Sequence, residues 1–240
     1  MVAPKQRGAT RAVDKRAFLG GHPIFGALGP ELVNQLTSYA IPRSVKRGTM
    51  IIERGDTGTA MFALCSGTVK ISTPSADGKG AVFNLISEGA IFGEIAVLDG
   101  LPRTADAIAL TDCELMVIER RDFVALIRER AEFAVKLIEV LCRRLRQTTD
   151  QLEDLMFLDL PGRLAKALLQ AAKNAGALSG GKKIALTQRN LSEMIGVSRE
   201  STNKQLRAWE RQKLIELQRG GIVIRSPQAL AAIASSERKS

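Results

Sequence analysis

The chain is 240 residues long, with 45% hydrophobic residues and a formal net charge of +10. That length suits one large domain or two modest ones, and the apolar share argues against a disordered chain. No apolar run approaches the ~20 residues of a membrane span, and the N-terminus lacks the apolar segment of a secretory signal, so a cytoplasmic protein without membrane contact is expected.

The charge is uneven. Residues 158–240 hold 15 Lys/Arg against 6 Asp/Glu, whereas residues 1–157 hold 20 against 19. A basic last third predicts a polyanionic partner, although charge alone does not separate nucleic acid from acidic lipid. Cys65, Cys113 and Cys142 lie far apart without metal-ligand spacing and read as small, reduced core residues.

Residues 1–20, with Lys5, Arg7, Arg11, Lys15 and Arg16, predict a flexible basic arm. A first domain over 21–120 opens with an apolar pattern from Pro23 to Ala40 that predicts a short helical segment. His22, the sole histidine, falls near the arm and is expected at the surface.

Between Pro42 and Glu119 the pattern becomes short runs rich in Val, Ile, Phe and Thr, separated by glycines. The runs are Met50–Glu53, Ala60–Ser66, Thr68–Thr73, Ala81–Ile86, Ala105–Ala109 and Cys113–Ile118. Strands of this length and spacing predict an antiparallel sandwich or barrel.

Late in this region lies Phe92-Gly93-Glu94-Ile95-Ala96-Val97-Leu98-Asp99-Gly100-Leu101-Pro102-Arg103-Thr104-Ala105. Gly93 allows a backbone conformation closed to other residues, after which the amides of Glu94, Ile95 and Ala96 open a short helix toward an anion. Arg103 offers a fork of donors matched to phosphate oxygens, and Thr104 adds a hydroxyl and an amide. Glu94 repels phosphate, so its use is to accept hydrogen bonds from a neutral group such as a ribose hydroxyl. A ligand with one phosphate beside a sugar hydroxyl satisfies both halves.

From Arg121 a helical period runs to Phe157, predicting one dimerisation helix over 121–157. Ile138, Leu145 and Leu152 share one heptad position, and Ala134, Leu141, Thr148 and Leu155 its partner, as in a coiled-coil seam. The flanking charges Arg143, Arg144, Arg146, Asp150, Glu153 and Asp154 favour a seam between two chains, a parallel homodimer. Pro161-Gly162 then breaks the helix, giving a hinge over 158–162.

The last region, 163–240, opens with a helix over 163–175 and a flexible loop from Gly176 to Gly181. Thr187 caps a helix with inner face Leu191, Met194 and Ile195, Gly196 permits a tight turn, and Ser198 caps a second helix buried through Thr202 and Leu206. Two short helices about a glycine turn make a helix-turn-helix. Leu214–Leu217 and Ile222–Ile224, about Arg219-Gly220-Gly221, add a hairpin wing. On the second helix Arg199, Glu200, Asn203 and Lys204 lie on the exposed side; Arg and Lys can donate to guanine, and Glu can accept from cytosine. Thr187, Gln188 and Arg189 are candidate phosphate contacts, which position the module without specifying sequence.

The segment from Gly93 to Thr104 resembles the phosphate-binding cassette of the cyclic AMP receptor protein and FNR family of bacterial regulators. Val197-Ser198-Arg199-Glu200-Ser201-Thr202 resembles that family's recognition helix, and together the likeness covers about residues 24–225. The resemblance implies an α+β protein: an antiparallel β-roll, a long dimerisation helix and a C-terminal winged helix-turn-helix. It implies that Glu94 holds the ribose 2′-hydroxyl and that Arg103 and Thr104 hold the cyclic phosphate. Thr148 and Thr149 would reach the purine, one from each subunit, and Arg144 would pair with Glu94. Asp159 would cap the helix after the hinge. Arg199, Glu200 and Lys204 match base-reading positions, with Lys204 standing where many members carry arginine.

The expected function is therefore transcriptional regulation by a homodimer on double-stranded DNA at a pseudo-palindromic site, with cAMP as allosteric effector and cGMP as its rival. RNA polymerase is a further candidate partner, through the loop Gly176–Lys183. An iron–sulfur sensor would need a cysteine cluster, a haem sensor axial ligands, and a ligand-independent regulator would lack Glu94 or Arg103. A phosphodiesterase would need a metal site or an acid/base pair, and neither is visible, so no enzyme is expected. A regulatory subunit with a protein partner would not need the helix-turn-helix.

Overall fold

The computed structural model describes residues 14–22, 25–26, 29–74, 80–178 and 181–235. Residues 1–13 of the expected arm lie outside this set. Lys15–Gly21 instead form helix α1, because Asp14 accepts from the amides of Arg16 and Ala17 and caps it. The Lys15 ammonium bonds the carbonyl of Ala40 at 2.7 Å, beyond the end of α2 (Gly29–Tyr39), fixing the two helices together.

Two four-stranded antiparallel sheets follow. One has the order β1 (Ile41–Val45), β8 (Cys113–Glu119), β3 (Ala60–Ser66), β6 (Ile91–Phe92). The other runs β2 (Met50–Ile52), β7 (Asp106–Ala109), β4 (Thr68–Pro74), β5 (Gly80–Ser87). β1 and β6 were not anticipated: β1 carries Pro42, Arg43 and Ser44 and is mostly exposed, and β6 is two residues long.

The alternation of a strand sorts the core. Phe62 and Leu64 of β3 join Cys113 and Leu115 of β8 in a cluster between the sheets with Ile52, Val69, Ile86 and Phe92. Met61, Ala63 and Cys65 face the other way, with Met116 and Ile118, against a helical layer of Leu32, Leu36, Phe123, Phe133 and Leu137. β5 breaks the alternation. Ile71 pairs with Asn84 but Ser72 with Val82, so Phe83 is the extra residue of a β-bulge. The bulge throws Phe83 outward and lets Val82 and Leu85 share one buried face.

The expected single helix over 121–157 is two: α4 (Arg120–Glu129) and α5 (Ala131–Phe157). Arg130 is extended at φ −134°, ψ 100°, which turns the chain so that Phe133 meets Phe123 edge-on with ring centroids 5.6 Å apart. His22 is not at the surface but is buried beside Phe18 and Phe25. Cys142 is exposed on α5, against the expectation of a core residue, while Cys65 and Cys113 are buried.

The break after α5 is shorter than the expected hinge. Only Leu158 and Asp159 are non-helical; Pro161 fits the first turn of α6 (Leu160–Asn174), where its missing N–H costs nothing, and Asp159 caps the helix through the amide of Gly162 at 2.9 Å. α7 (Gln188–Ile195) and α8 (Arg199–Arg211) form the helix-turn-helix, followed by the hairpin β9 (Ile215–Gln218)–β10 (Gly221–Ile224) and α9 (Pro227–Ala234). Among the described residues no helix is long and apolar enough to cross a membrane.

Candidate functional site

The cassette is built on a glycine. Gly93 sits at φ 78°, and a Cβ there would lie 2.9 Å from Ile52 Cδ1 and 3.0 Å from Arg103 Nη1. It starts the six-residue helix α3 (Glu94–Asp99) without a side-chain cap.

Glu94 follows and is fully buried. Arg144 of α5 pairs with its Oε1 and also donates to the carbonyl of Ile91. Glu94 Oε2 has no hydrogen-bond partner among the described residues. A buried acceptor left unbonded is costly, so this oxygen is suited to a ligand hydroxyl.

Arg103 is also buried and holds the other side. Its Nη1 donates to the carbonyl of Gly93 at 2.6 Å and Nη2 to that of Ala60. These carbonyls take only part of its donor capacity, and the planar fork is fixed in place. Burial lowers the Arg103 pKa from its ordinary value, opposed by the charges of Asp56 and Glu94. The chain on either side is pinned by backbone bonds, Arg103 N to Asp56 O at 2.8 Å and Gly55 N to Arg103 O at 2.9 Å.

These groups converge on a cavity of about 280 Å³. It brings together Gly93, Glu94, Ile95, Ala96, Arg103, Thr104, Arg144 and Thr148 of the residues read from sequence. Thr149 is not on its wall. It lies one turn from Leu145 and Leu152 on α5, which are 68% and 58% exposed. Both threonine hydroxyls donate back to carbonyls four residues earlier, those of Arg144 and Leu145, at 3.0 Å.

The cavity also recruits residues that sequence reading missed: apolar Ile52, Ile71, Phe83 and Ile86, and the amides Asn84, Gln147 and Gln151. Gln147 and Gln151 could have been found, because positions 144, 147, 148 and 151 lie on one face of a helix. Phe83 could not, since the bulge that aims it has no signature in the chain. Three of the flanking charges expected at a two-chain seam are engaged within the chain: Arg143 with Glu139 at 4.0 Å, Arg144 with Glu94, and Asp154 with Lys166 at 2.6 Å.

The second candidate surface is on the helix-turn-helix. Thr187 caps α7 in a capping box: its Oγ1 accepts from the amide of Asn190 at 3.1 Å, and the Asn190 side chain accepts from the amide of Thr187. Gly196 ends α7 at φ 66°, which allows the tight turn into α8, and Ser198 caps α8 through the amide of Ser201.

Arg199, Glu200 and Lys204 are exposed on α8. Asn203 stands apart, half-buried, with Oδ1 shielded and without a hydrogen-bond partner among the described residues. Of the candidate phosphate contacts, Thr187 and Gln188 are half-buried, and Arg189 is exposed but paired with Glu193 at 2.8 Å. Among the described residues, no group of His, Cys, Asp and Glu side chains is arranged to hold a metal ion.

Comparison with known proteins agrees with this layout. Residues 42–130 match the model of the cyclic nucleotide-binding domain, and residues 162–233 that of the Crp-like helix-turn-helix domain. A CRP-like cAMP-activated global transcriptional regulator of Mycobacterium tuberculosis is 33% identical over 211 residues, 87% of this chain and 94% of that protein. The cyclic AMP receptor protein of Thermus thermophilus is 32% identical over 214 residues, 89% of this chain and 97% of the relative. A solved CRP/FNR-family regulator from the same organism has a TM-score of 0.71 at 24% identity, over 82% of this chain and all of that one, a likeness of fold. With both domains matched in this order and a relative this similar along almost its whole length, the chain belongs to the CRP-like family of transcriptional regulators, DNA-binding proteins that respond to a cyclic nucleotide.

Proposed function

We propose that this regulator takes cAMP as its effector and binds DNA as a homodimer in the cytoplasm. The observation that carries the effector reading is the pairing, in one cavity, of a buried carboxylate oxygen without a donor and a fixed guanidinium. A cyclic nucleotide offers a ribose hydroxyl to Glu94 and a single anionic phosphate to Arg103 and Thr104. Its purine lies between the apolar wall of Ile71, Phe83 and Ile86 and the hydroxyl of Thr148. The relatives named cAMP-activated support cAMP over cGMP.

The dimer reading rests on α5. Ile138, Leu145 and Leu152 are 56%, 68% and 58% exposed on one stripe, an apolar seam that a second copy would cover. Thr149 lies beside that seam, so in a dimer it would face the partner's cavity. Two recognition helices related by a two-fold axis would then meet half-sites about one DNA turn apart. Arg199, Glu200 and Lys204 read bases, and Arg189 contacts phosphate. RNA polymerase remains a candidate partner of the loop Gly176–Lys183, of which residues 179–180 lie outside the described set.

In this mechanism nucleotide bound at Glu94 and Arg103 reaches Thr148, biases α5 and shifts α6 about Leu158–Asp159. It does so only by binding the DNA-competent arrangement more tightly than the other. The test is calorimetric titration of the purified chain with cAMP and cGMP in parallel. Binding of cAMP at lower concentration than cGMP is expected; preference for cGMP would reassign the effector, and silence from both would sink the nucleotide reading.

A further inference from the structure

A second cavity, of about 140 Å³, lies between α5 and α6, which are separated in the chain only by Leu158 and Asp159. Asp150, Asp154 and Leu155 bring one face of α5 to its wall, and Arg163, Lys166 and Ala167 one face of α6, by their spacing of three and four. β5 and α7 close the remaining sides. Phe83, Asn84, Gln147 and Gln151 line both this cavity and that of Glu94 and Arg103, so the two are neighbours across one partition.

The apolar wall is Phe83, Leu85, Leu155, Ala167, Met194 and Ile195. Most of the polar groups around it are already engaged within the chain. Gln151 Nε2 donates to the carbonyl of Phe83 at 3.1 Å, Gln170 Nε2 to Asn174 Oδ1 at 3.0 Å, and Lys166 Nζ to Asp154 Oδ1 at 2.6 Å. Asn84 Oδ1 accepts from the amide of Leu85 at 2.8 Å. Arg163 is the exception: its Nε is shielded from solvent and has no hydrogen-bond partner among the described residues.

A shielded donor left unbonded is costly, so an acceptor from outside the chain is favoured beside it. A water there would need at least one further polar partner, and the neighbouring groups are taken. Charge narrows the choice of acceptor. Lys166 and Asp154 neutralise one another, and Asp150 is exposed, where solvent screens it. The guanidinium of Arg163 is left as the shielded charge, and a carboxylate is the acceptor its planar donors match. Volume sets the rest, because an apolar cavity of about 150 Å³ holds a benzene ring.

We propose that this cavity is a second ligand site, distinct from that of the nucleotide. It takes a small monocarboxylate whose apolar body is about the size of a six-membered ring, with the carboxylate on Arg163. The proposal does not depend on which nucleotide, if any, fills the neighbouring cavity.

The experiment is calorimetric titration of the full-length chain, without nucleotide, with benzoate as the probe and with acetate and benzyl alcohol in parallel. Acetate keeps the carboxylate without the ring, and benzyl alcohol the ring without the charge. Benzoate should saturate one site per chain below about 1 mM, with both controls at least about tenfold weaker. Arg163→Met keeps the aliphatic stem but removes the donor, and should lower benzoate affinity about tenfold or more. Ala167→Leu fills the cavity with Arg163 in place and should abolish binding. Arg103→Gln alters only the neighbouring cavity and should leave benzoate affinity unchanged.

Urea unfolding establishes that each variant is folded, and either Arg163→Met or Ala167→Leu decides the matter if the other is not. Absence of saturable benzoate binding, equal binding by wild type and the cavity variants, or acetate binding as tightly as benzoate would each overturn the proposal. Loss of binding in Arg103→Gln would place benzoate in the nucleotide cavity and overturn it as well.

Discussion

Glu94 and Arg103 in the cassette, and Arg199 and Glu200 at the start of α8, are the same two side-chain types put to different uses. The cassette pair is 0% and 8% exposed and fixed by Arg144 and by backbone carbonyls. The α8 pair is exposed at the surface of its helix. A small ligand offers few atoms, so its site gains affinity by having donors and acceptors already desolvated and aimed. A DNA duplex offers many phosphates, which supply affinity through charge, and the base-reading groups need only meet the correct edges. Buried charge in the cassette and free charge on α8 are therefore two answers to ligand size.

The largest expected effect tests the buried half. Arg103→Gln removes the charge but keeps an amide that can still reach one carbonyl. Nucleotide affinity should fall about a thousandfold, about 4 kcal/mol, as for one partner taken from a shielded charged contact. Calorimetry reads it directly. A loss of less than about tenfold, about 1.4 kcal/mol, would mean that the fixed fork is structural and that the comparison fails.

A second buried group sharpens the same contrast through pH. Burial holds the His22 pKa down at about 4, from an ordinary 6.5. Between these values the unfolded chain binds a proton that the folded chain refuses, so stability falls as pH drops from 6.5 to about 4. The shift corresponds to about 3 kcal/mol, lost over that window and absent as a cost above it. His22→Phe, matched to neighbours Phe18 and Phe25, should show a flatter decline in urea unfolding between pH 7 and 4.5. Parallel declines in the two proteins would show that His22 does not drive the acid sensitivity.

Much of this was legible in the chain, for local reasons. The cassette is contiguous, so its glycine, carboxylate and arginine could be read together. β3 and β8 were legible because their apolar runs are long, the first set between Gly58 and Gly67 and the second between Thr111-Asp112 and the charged run Glu119-Arg120-Arg121. The helix-turn-helix was legible because Thr187, Gly196 and Ser198 are caps with local chemistry. What failed was set by tertiary packing. The turn at Arg130 follows from Phe133 meeting Phe123, and nothing in an unbroken helical period announces it. His22 reads as a surface residue until Phe18 and Phe25 enclose it. An ion pair between Lys70 and Glu193 joins residues 123 positions apart, and the Phe83 bulge depends on a register that only the paired strand reveals.

Turning to the exposed half, Arg199→Ala should weaken binding to a selected duplex by about 1–3 kcal/mol while changing binding to unrelated sequence little, because a base contact carries the discrimination. Arg189→Ala should instead weaken both equally. Anisotropy titrations at one fixed salt concentration separate the two. Equal losses on both duplexes for Arg199→Ala would demote it to a backbone contact and weaken the case for α8 as the reading surface.

The smallest effect concerns Thr187, which sits on the DNA-facing module but behaves like a cassette residue. Its hydroxyl accepts from the amide of Asn190 at 3.1 Å and donates to the Asn190 side chain at 2.6 Å, so it is already spent inside the fold. Thr187→Ala should therefore cost about 1 kcal/mol of stability, the usual loss of an N-cap. Thr187→Ser keeps the oxygen and should recover most of it. If the hydroxyl is a cap, DNA affinity of the folded protein changes only slightly in both variants. A marked loss of DNA affinity in Thr187→Ala, with the unfolding midpoint unmoved, would make Thr187 a phosphate contact after all. The capping box would then have to open on DNA, and the line between fixed and free groups would run through α7 rather than between the domains.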